Sequence, residues 1–350
     1  MSRMTATGQS PVQFGIRLPV AGPLASPEAI VRVAREAERL GYDVVWVNDF
    51  IAWTTYQNST HVSSGSLEAV ENAGPDAEPT YFESLTTLSY VAGVTKAIKL
   101  GIAVLCLPFR NPIIAAKQVA NVDVLSGGRM ILGIGVGAAK STHNVDFEVL
   151  GVSRVDKYDK TKDYLRAMIE IWTNPKPAYE GPFISFPETE FAPKPSQRPY
   201  PPIWFGGGGD KSVELCGEFG SGWLPPWVVP DEYPGRIARL KEAAARHGRD
   251  GVTFDIGTEV YVCIAKESSA ATASAAKTVG VLPEGFNADA TAAAVEAAGL
   301  IGSPEEIVDK LGRYVEAGVR CYEMKFIYHT VDDYVEQMQL FAESVISTHR

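Results

Sequence analysis

Eight short apolar runs alternate with helix-like segments along this chain, and that alternation constrains the fold more than any single motif. The first run, VQFGIRLP at residues 12–19, leads into SPEAIVRVAREAERLG. There Ser26 suits an N-cap, Pro27 the first helical position and Gly41 the stop. Ile30, Val33, Ala34, Ala37 and Leu40 recur at helical spacing between them. YDVVWVND then reads as a strand that stays apolar until Asn48 and Asp49, the pattern of a parallel strand buried on both faces. The later runs are IKLGIAVLCLP, RMILGIGVG, PPIWFGG, GWLP, VTFDIGTEVYVCIA and VRCYEMKFIYH, each followed by a helical pattern. In the last unit SPEEIVDKLGRYVEAG repeats the opening design, with Ser303 and Glu306 spaced as a capping box.

Eight strands alternating with helices predict an α/β fold, a (β/α)8 TIM barrel, as a single domain over residues 1–350. A doubly wound sheet with a second domain is the alternative, although no Pro/Gly/Ser-rich linker divides the chain. Two excursions interrupt the alternation. Residues 50–80, after the second strand, are polar and Gly/Ser-rich and read as a substrate lid; residues 266–300, between strands 7 and 8, are Ala-rich and read as added helix.

Composition excludes several function classes. With 45% apolar and 21% charged residues the chain has ordinary globular values. A formal net charge of −10 argues against nonspecific binding to nucleic acid or anionic membranes. The four cysteines, Cys106, Cys216, Cys263 and Cys321, form no CxxC pair and read as reduced thiols. The N-terminus has no apolar h-region, and no run approaches the roughly 20 residues of a membrane helix, so a cytoplasmic protein is expected. No His/Asp/Glu cluster has metal-ligand spacing.

Two glycine runs carry the chemistry. GIGVGA, from Gly133, matches a dinucleotide fingerprint, but AKSTHNVDFEVLGVSR after it has loop composition, where that fingerprint needs a helix. GGGGDKS resembles a P-loop, but Asp210 separates the glycines from Lys211. The second run still lies between a strand end and a helix start, where glycines and a helix N-terminus suit an anion or simply a tight turn.

At this point the sequence resembles a known family. EAERLGYDVVWVND, the block IKLGIAVLCLPFRNPIIAAKQVANVDVLSGGRMILGIGVG, PKPSQRPYPPIWFGGGG and SPEEIVDKLGRYVEAGV are similar to the luciferase-like monooxygenase superfamily, closest to its branch of F420-dependent oxidoreductases. The resemblance runs from about Phe14 to Ile327 and implies a (β/α)8 barrel holding a flavin or deazaflavin at its C-terminal face. It implies that Ala103 and Val104 back the ring at a bulge with a non-prolyl cis peptide, that Cys106 lines the pocket and that Gly135, Val136 and Gly137 meet the cofactor edge. It assigns Gly206, Gly207, Gly208 and Gly209 to the cofactor phosphate, and Asp49 to an acidic position near the ring. Cys106 reads as an apolar filler, with a redox thiol as the alternative. Arg110, Lys140, Arg154, Lys157 and Lys211 are candidates for the cofactor's anionic groups; Lys140 and Lys211 lie near the glycine runs, while Arg154 and Lys157 read more readily as ordinary surface charge.

The sequence also departs from that branch. Sugar-phosphate dehydrogenases of the branch carry His after the acidic residue and a carboxylate after the strand-four glycine; here these positions are Phe50 and Ala138. Phe50 and Trp53 therefore read as aromatic pocket walls, Tyr328, beside His329 after strand eight, is a further pocket candidate, and sugar-phosphate oxidation is excluded. Trp223, Trp227 and Phe326 are read as further pocket aromatics or as core. Asp49, His143, His329 and, in the excursion, His61 are the candidate proton-handling residues, and His247 and His349 are expected at the periphery. The expected function is F420-dependent hydride transfer with a small organic molecule. The alternatives are an FMN-dependent monooxygenase, a flavin- or F420-binding protein without turnover, and a different barrel enzyme that uses the glycine loop for a phosphorylated substrate. A homodimer is expected by resemblance.

Overall fold

The computed structural model describes residues 11–52, 80–137, 143–279, 295 and 297–349. Eight parallel strands run in chain order: β1 (Gln13–Arg17), β2 (Val44–Val47), β3 (Lys99–Cys106), β4 (Met130–Gly135), β5 (Ile203–Gly206), β6 (Gly222–Leu224), β7 (Asp255–Ile264) and β8 (Cys321–Phe326). Each pairs with the next, and β8 pairs with β1 through Gln13 opposite Cys321, so the sheet closes. Closure rules out the open doubly wound sheet and makes this a (β/α)8 barrel.

The helices are α1 (Pro27–Leu40), α2 (Ser84–Val94), α3 (Pro112–Ser126), α4 (His143–Val149), α5 (Lys157–Thr173), α6 (Asp210–Phe219), α7 (Tyr233–Arg246), α8 (Ser268–Val279), α9 (Pro304–Glu316) and α10 (Val331–Ser344). Their ends follow the sequence signals. Ser26 Oγ accepts the Ala29 amide at 3.1 Å, and Gly41 stops α1 at φ 82°. Ser303 and Glu306 close the capping box of α9.

Three elements go beyond the sequence reading. The stretch after GIGVGA, read as loop, holds α4. Its seven residues show no apolar face in isolation; tertiary contacts hold it, with Phe147 edge-on to Phe109 at 4.7 Å and buried Asp146 accepting the Ile51 and Ala52 amides at 3.1 and 2.7 Å. In the Ala-rich excursion, α8 is followed by an extra strand, Leu300–Gly302, paired with β7. A two-residue hairpin, Tyr179–Glu180 against Ser185–Phe186, lies between α5 and β5.

Side chains alternate between the helix layer and the barrel interior. Trp46 and Trp204, ring centroids 5.6 Å apart, fill the lower interior. Glycines make room for them: a Cβ on Gly101 would fall 2.1 Å from Trp46, and one on Gly222 2.4 Å from Trp204. Above this apolar plug, toward the strand C-termini, the strands carry the buried charges Arg17, Glu323 and Lys325 and, in register with Glu323, Glu259.

Candidate functional site

The floor of the barrel mouth is built on β3. Its register with β4 shifts between Ile102 and Leu105, and the Ala103–Val104 peptide is cis. The Val104 side chain lies across the ends of β4 and β5. A Cβ on Gly135 would approach Val104 Cγ2 to 2.4 Å, and one on Gly206 would approach Cγ1 to 2.9 Å. Glycine at both places gives a low surface around Val104 that a side chain would fill.

The segment just beyond is held by Asp49 at the end of β2. Its carboxylate accepts Arg110 Nη1 and Nη2 at 2.6 Å each, the Cys106 amide at 3.0 Å and Ser84 Oγ at 3.0 Å. Arg110 also reaches Glu83 at 3.1 Å. Arg110, read from sequence as a partner for a cofactor anion, is thus engaged in a buried structural pair. Cys106 is buried, and burial pushes its thiol well above the ordinary range; this is the environment of a filler, not of a reactive thiolate. Lys157 corrects the sequence reading in the other direction. It is buried, donates to the Gly137 carbonyl at 2.6 Å, and is held below the usual lysine range by burial. Arg154 lies over the Phe147 ring at 5.4 Å.

Next to the floor, Gly206 to Gly209 lead from β5 into α6. Gly207 takes φ 85°, a region that favours glycine, and its carbonyl accepts Trp223 Nε1 at 2.9 Å. Gly209 is the N-cap and offers no side chain to the helix. The ten-residue helix therefore presents its N-terminal dipole and amide groups past backbone alone. Asp210 follows in the first turn, exposed and ion-paired with Arg239. Lys211 lies over the Tyr158 ring at 5.2 Å, and a Cβ on Gly208 would meet Arg236 at 2.6 Å.

Opposite the glycine turn, the inward face of β7 and β8 carries charge. Glu259 stands in register with Glu323, and Tyr261 with Lys325. Arg17, at the end of β1, donates Nε to Glu323 at 2.6 Å and Nη2 to Glu259 at 3.2 Å; Lys325 binds the other Glu259 oxygen. Lys325 also lies near the Tyr261 and Trp227 rings, at 5.4 and 5.9 Å. Burial pushes Glu323 up to about 7, with Arg17 opposing the shift and the Glu259 charge adding to it. Burial acts against ionised Glu259 too, yet Lys325 and Arg17 hold it below the usual range. The second oxygen of Glu323, Oε2, is buried without a hydrogen-bond partner.

The remaining candidates are dispersed. Phe50 is buried beside Tyr81, centroids 5.4 Å apart. Tyr328 is buried and stacks on Tyr334 at 4.4 Å. His329 Nε2 meets Ser274 Oγ of α8 at 2.8 Å, and its backbone amide donates to Asp333 at 2.8 Å. His143 opens α4. Trp53, His61, Ala138 and Lys140 lie outside the described residues. Trp223 and Phe326 belong to the core between strands and helices, while Trp227 stacks on Tyr261 at the mouth with φ 54°. His247, expected at the periphery, is half-buried and paired with Glu214 at 2.8 Å. The sequence reading missed Arg17, Glu259, Glu323 and Lys325. Their signal was present as charges at inward parity within largely apolar strands, Glu323 and Lys325 together in β8.

The site thus joins a bulged third strand, a glycine-lined floor and a glycine turn feeding a helix N-terminus at one end of a closed barrel. The profile of the family described as luciferase-like monooxygenase matches residues 9–321, and the chain belongs to that family. A 5,10-methylenetetrahydromethanopterin reductase of Methanolobus tindarius is 28% identical over 77% of this chain and 70% of its own length. An FMNH(2)-dependent dimethylsulfone monooxygenase of Pseudomonas putida is 23% identical over 96% of this chain and 94% of its own length. The structure of a coenzyme F420-dependent tetrahydromethanopterin reductase from Methanopyrus kandleri superposes with a TM-score of 0.72, at 20% identity, over 97% of this chain and all of that one. Among the described residues no helix is long and apolar enough to cross a membrane, and no cluster of three His, Cys, Asp or Glu could hold a metal ion.

Proposed function

We propose that this chain is an oxidoreductase, a single barrel domain over 1–350, that seats deazaflavin F420 across its mouth and passes hydride to or from a small organic substrate. FMN is the alternative cofactor. The observation that carries the reading is the pair of glycine features at one end of the barrel: the cleared surface around Val104 and the uncapped turn from Gly206 to Gly209. The residues present fit such a group. The amides before α6 suit its phosphate, and Val104 with Gly135 and Gly206 leaves a flat seat for its ring. Bound there, the ring would supply two-electron hydride chemistry. The chain's own part is to fix the ring, to place a substrate on its open face and to keep water out through Phe50, Tyr81, Trp227 and Tyr261. The likeness to the F420 branch and to a reductase supports F420 over FMN. His329 and His143 are the proposed proton-handling groups, and a soluble cytoplasmic homodimer is the proposed form.

Titration of the protein with F420 and with FMN, followed by fluorescence quenching, tests this reading. Quenching of F420 with no response to FMN is the expected result. Binding of neither removes the proposal. Gly207→Asp should abolish F420 binding while the barrel still melts cooperatively, because it sets a carboxylate beside the phosphate seat.

A further inference from the structure

The four ionisable groups inside the barrel have no part in the reading above. Arg17, Glu259, Glu323 and Lys325 are nearly sealed from solvent: the two cations have side chains 5% exposed, and Glu259 and Glu323 15% and 0%. Burial of two ion pairs contributes little to stability, since removing the charges from water opposes their attraction. Two carboxylates in register on adjacent strands add mutual repulsion. Apolar residues, which fill the layer below with Trp46 and Trp204, would serve packing as well. What the network does have is a specific reach. Beyond Glu323 and Glu259, Arg17 Nη2 donates to the Ala103 carbonyl at 3.4 Å, past the intervening β2 and at the point where β3 leaves its register. Glu259 and Glu323 hold the guanidinium from one side, and Lys325 fixes Glu259 in turn.

We propose that Arg17 is a positioning residue, whose guanidinium, held by Glu259 and Glu323, anchors the Ala103 carbonyl and so fixes the 103–106 segment as the wall behind the ring. This rests on the cofactor reading only for the wall's purpose; the anchoring itself is a property of the free protein. The segment is fixed at both ends. Arg17 holds Ala103 from inside the barrel, and Asp49 holds the Cys106 amide from the β2 side. Between the two anchors Val104 meets the space left by Gly135 and Gly206, so a shift of that segment would misplace the seat.

Two variants of the full chain test this. Arg17→Lys keeps one charge but cannot reach three acceptors in a fork. The fourfold change R17M/E259L/E323L/K325M replaces the network with apolar groups, which buried ion clusters tolerate. In the cofactor-free protein, amide exchange over residues 99–110 should quicken in both variants while β4 to β8 stay protected and the melting transition is retained. A purely structural role would instead raise exchange in all strands together. Where the parent binds F420 or FMN, affinity in either variant should fall on the order of tenfold to a hundredfold. If the parent binds neither cofactor, the proposed function fails, and the exchange pattern still judges Arg17. Wild-type protection over 99–110 in both variants, or failure of both to fold, overturns the proposal.

Discussion

Arg110 binds both carboxylate oxygens of Asp49 at 2.6 Å, and through that pair the ends of β2 and β3 and the start of α2 are tied at one point. Asp49 is nearly sealed, its side chain 1% exposed against 12% for Arg110. Asp49→Ala leaves a half-buried cation and the Cys106 amide without their acceptor. We expect a loss of about 3–5 kcal/mol, measured by denaturant unfolding. Arg110→Met in the same background should cost much less than it does alone, with a coupling of about 1–3 kcal/mol in the double-mutant cycle. Additive losses would mean that the two residues act independently, against the geometry.

Val104 and the glycines facing it make a second, sharper test. Gly135→Ala puts a methyl 2.4 Å from Val104 Cγ2, and Gly133→Ala puts one 2.0 Å from the Ile102 carbonyl. Each should destabilise the barrel by about 1–3 kcal/mol through overpacking. Val104→Ala removes the obstacle to the first methyl, since Val104 Cβ lies 3.4 Å from its position, and leaves the second untouched. Rescue of Gly135→Ala but not of Gly133→Ala by Val104→Ala, read as melting temperature, is the expected outcome.

Glu323 gives the pH dependence. Its folded pKa is raised from 4.5 to about 7, mainly by burial. The groups facing it are Arg17 and Lys325, which oppose the rise, and Glu259, which adds to it. A raised carboxyl favours the fold while protonated. Its contribution is fully present below about pH 4.5, where the unfolded chain is also protonated, and is lost as pH rises toward about 7. Glu323→Gln keeps the acceptor for Arg17 Nε and removes the titration. The variant should therefore gain stability relative to the parent on going from pH 4.5 to 7, by an amount on the order of a few kcal/mol, in chemical denaturation at matched ionic strength. Parallel stability profiles for the two proteins would refute the assignment.

The order of elements was legible because each strand of the barrel is a short apolar run bounded by a capped helix, and Ser26, Pro27, Gly41, Ser303 and Glu306 mark those boundaries by local chemistry alone. The bulge at Ala103 and Val104 was legible only by resemblance, since nothing in IKLGIAVLC distinguishes a bulged strand from a straight one. Helix α4 was not legible, because Asp146 and Phe147 are fixed by partners far away in sequence. The roles of Arg110 and Lys157 were misread for the same reason. Nothing local distinguishes a loop cation free for a cofactor anion, or a helix cation at the surface, from one held by Asp49 or by the Gly137 carbonyl.

The uncapped start of α6 allows stability and binding to be pulled in opposite directions. Gly209 has φ −74° and ψ 155°, ordinary N-cap geometry, and a Cβ there would meet nothing within 4 Å. Serine should fit without strain, and its hydroxyl would accept one of the first-turn amides of the helix. Gly209→Ser should therefore stabilise the barrel slightly, by a few tenths of a kcal/mol. The same hydroxyl competes with an anion for those amides and lies in its path, so affinity for F420 should fall, on the order of tenfold for a lost charge-assisted hydrogen bond. Calorimetric melting and fluorescence titration on one preparation check both signs. Should affinity hold while stability rises, the amides ahead of Asp210 are not where the phosphate sits, and the turn from Gly206 to Gly209 serves only to join β5 to its helix.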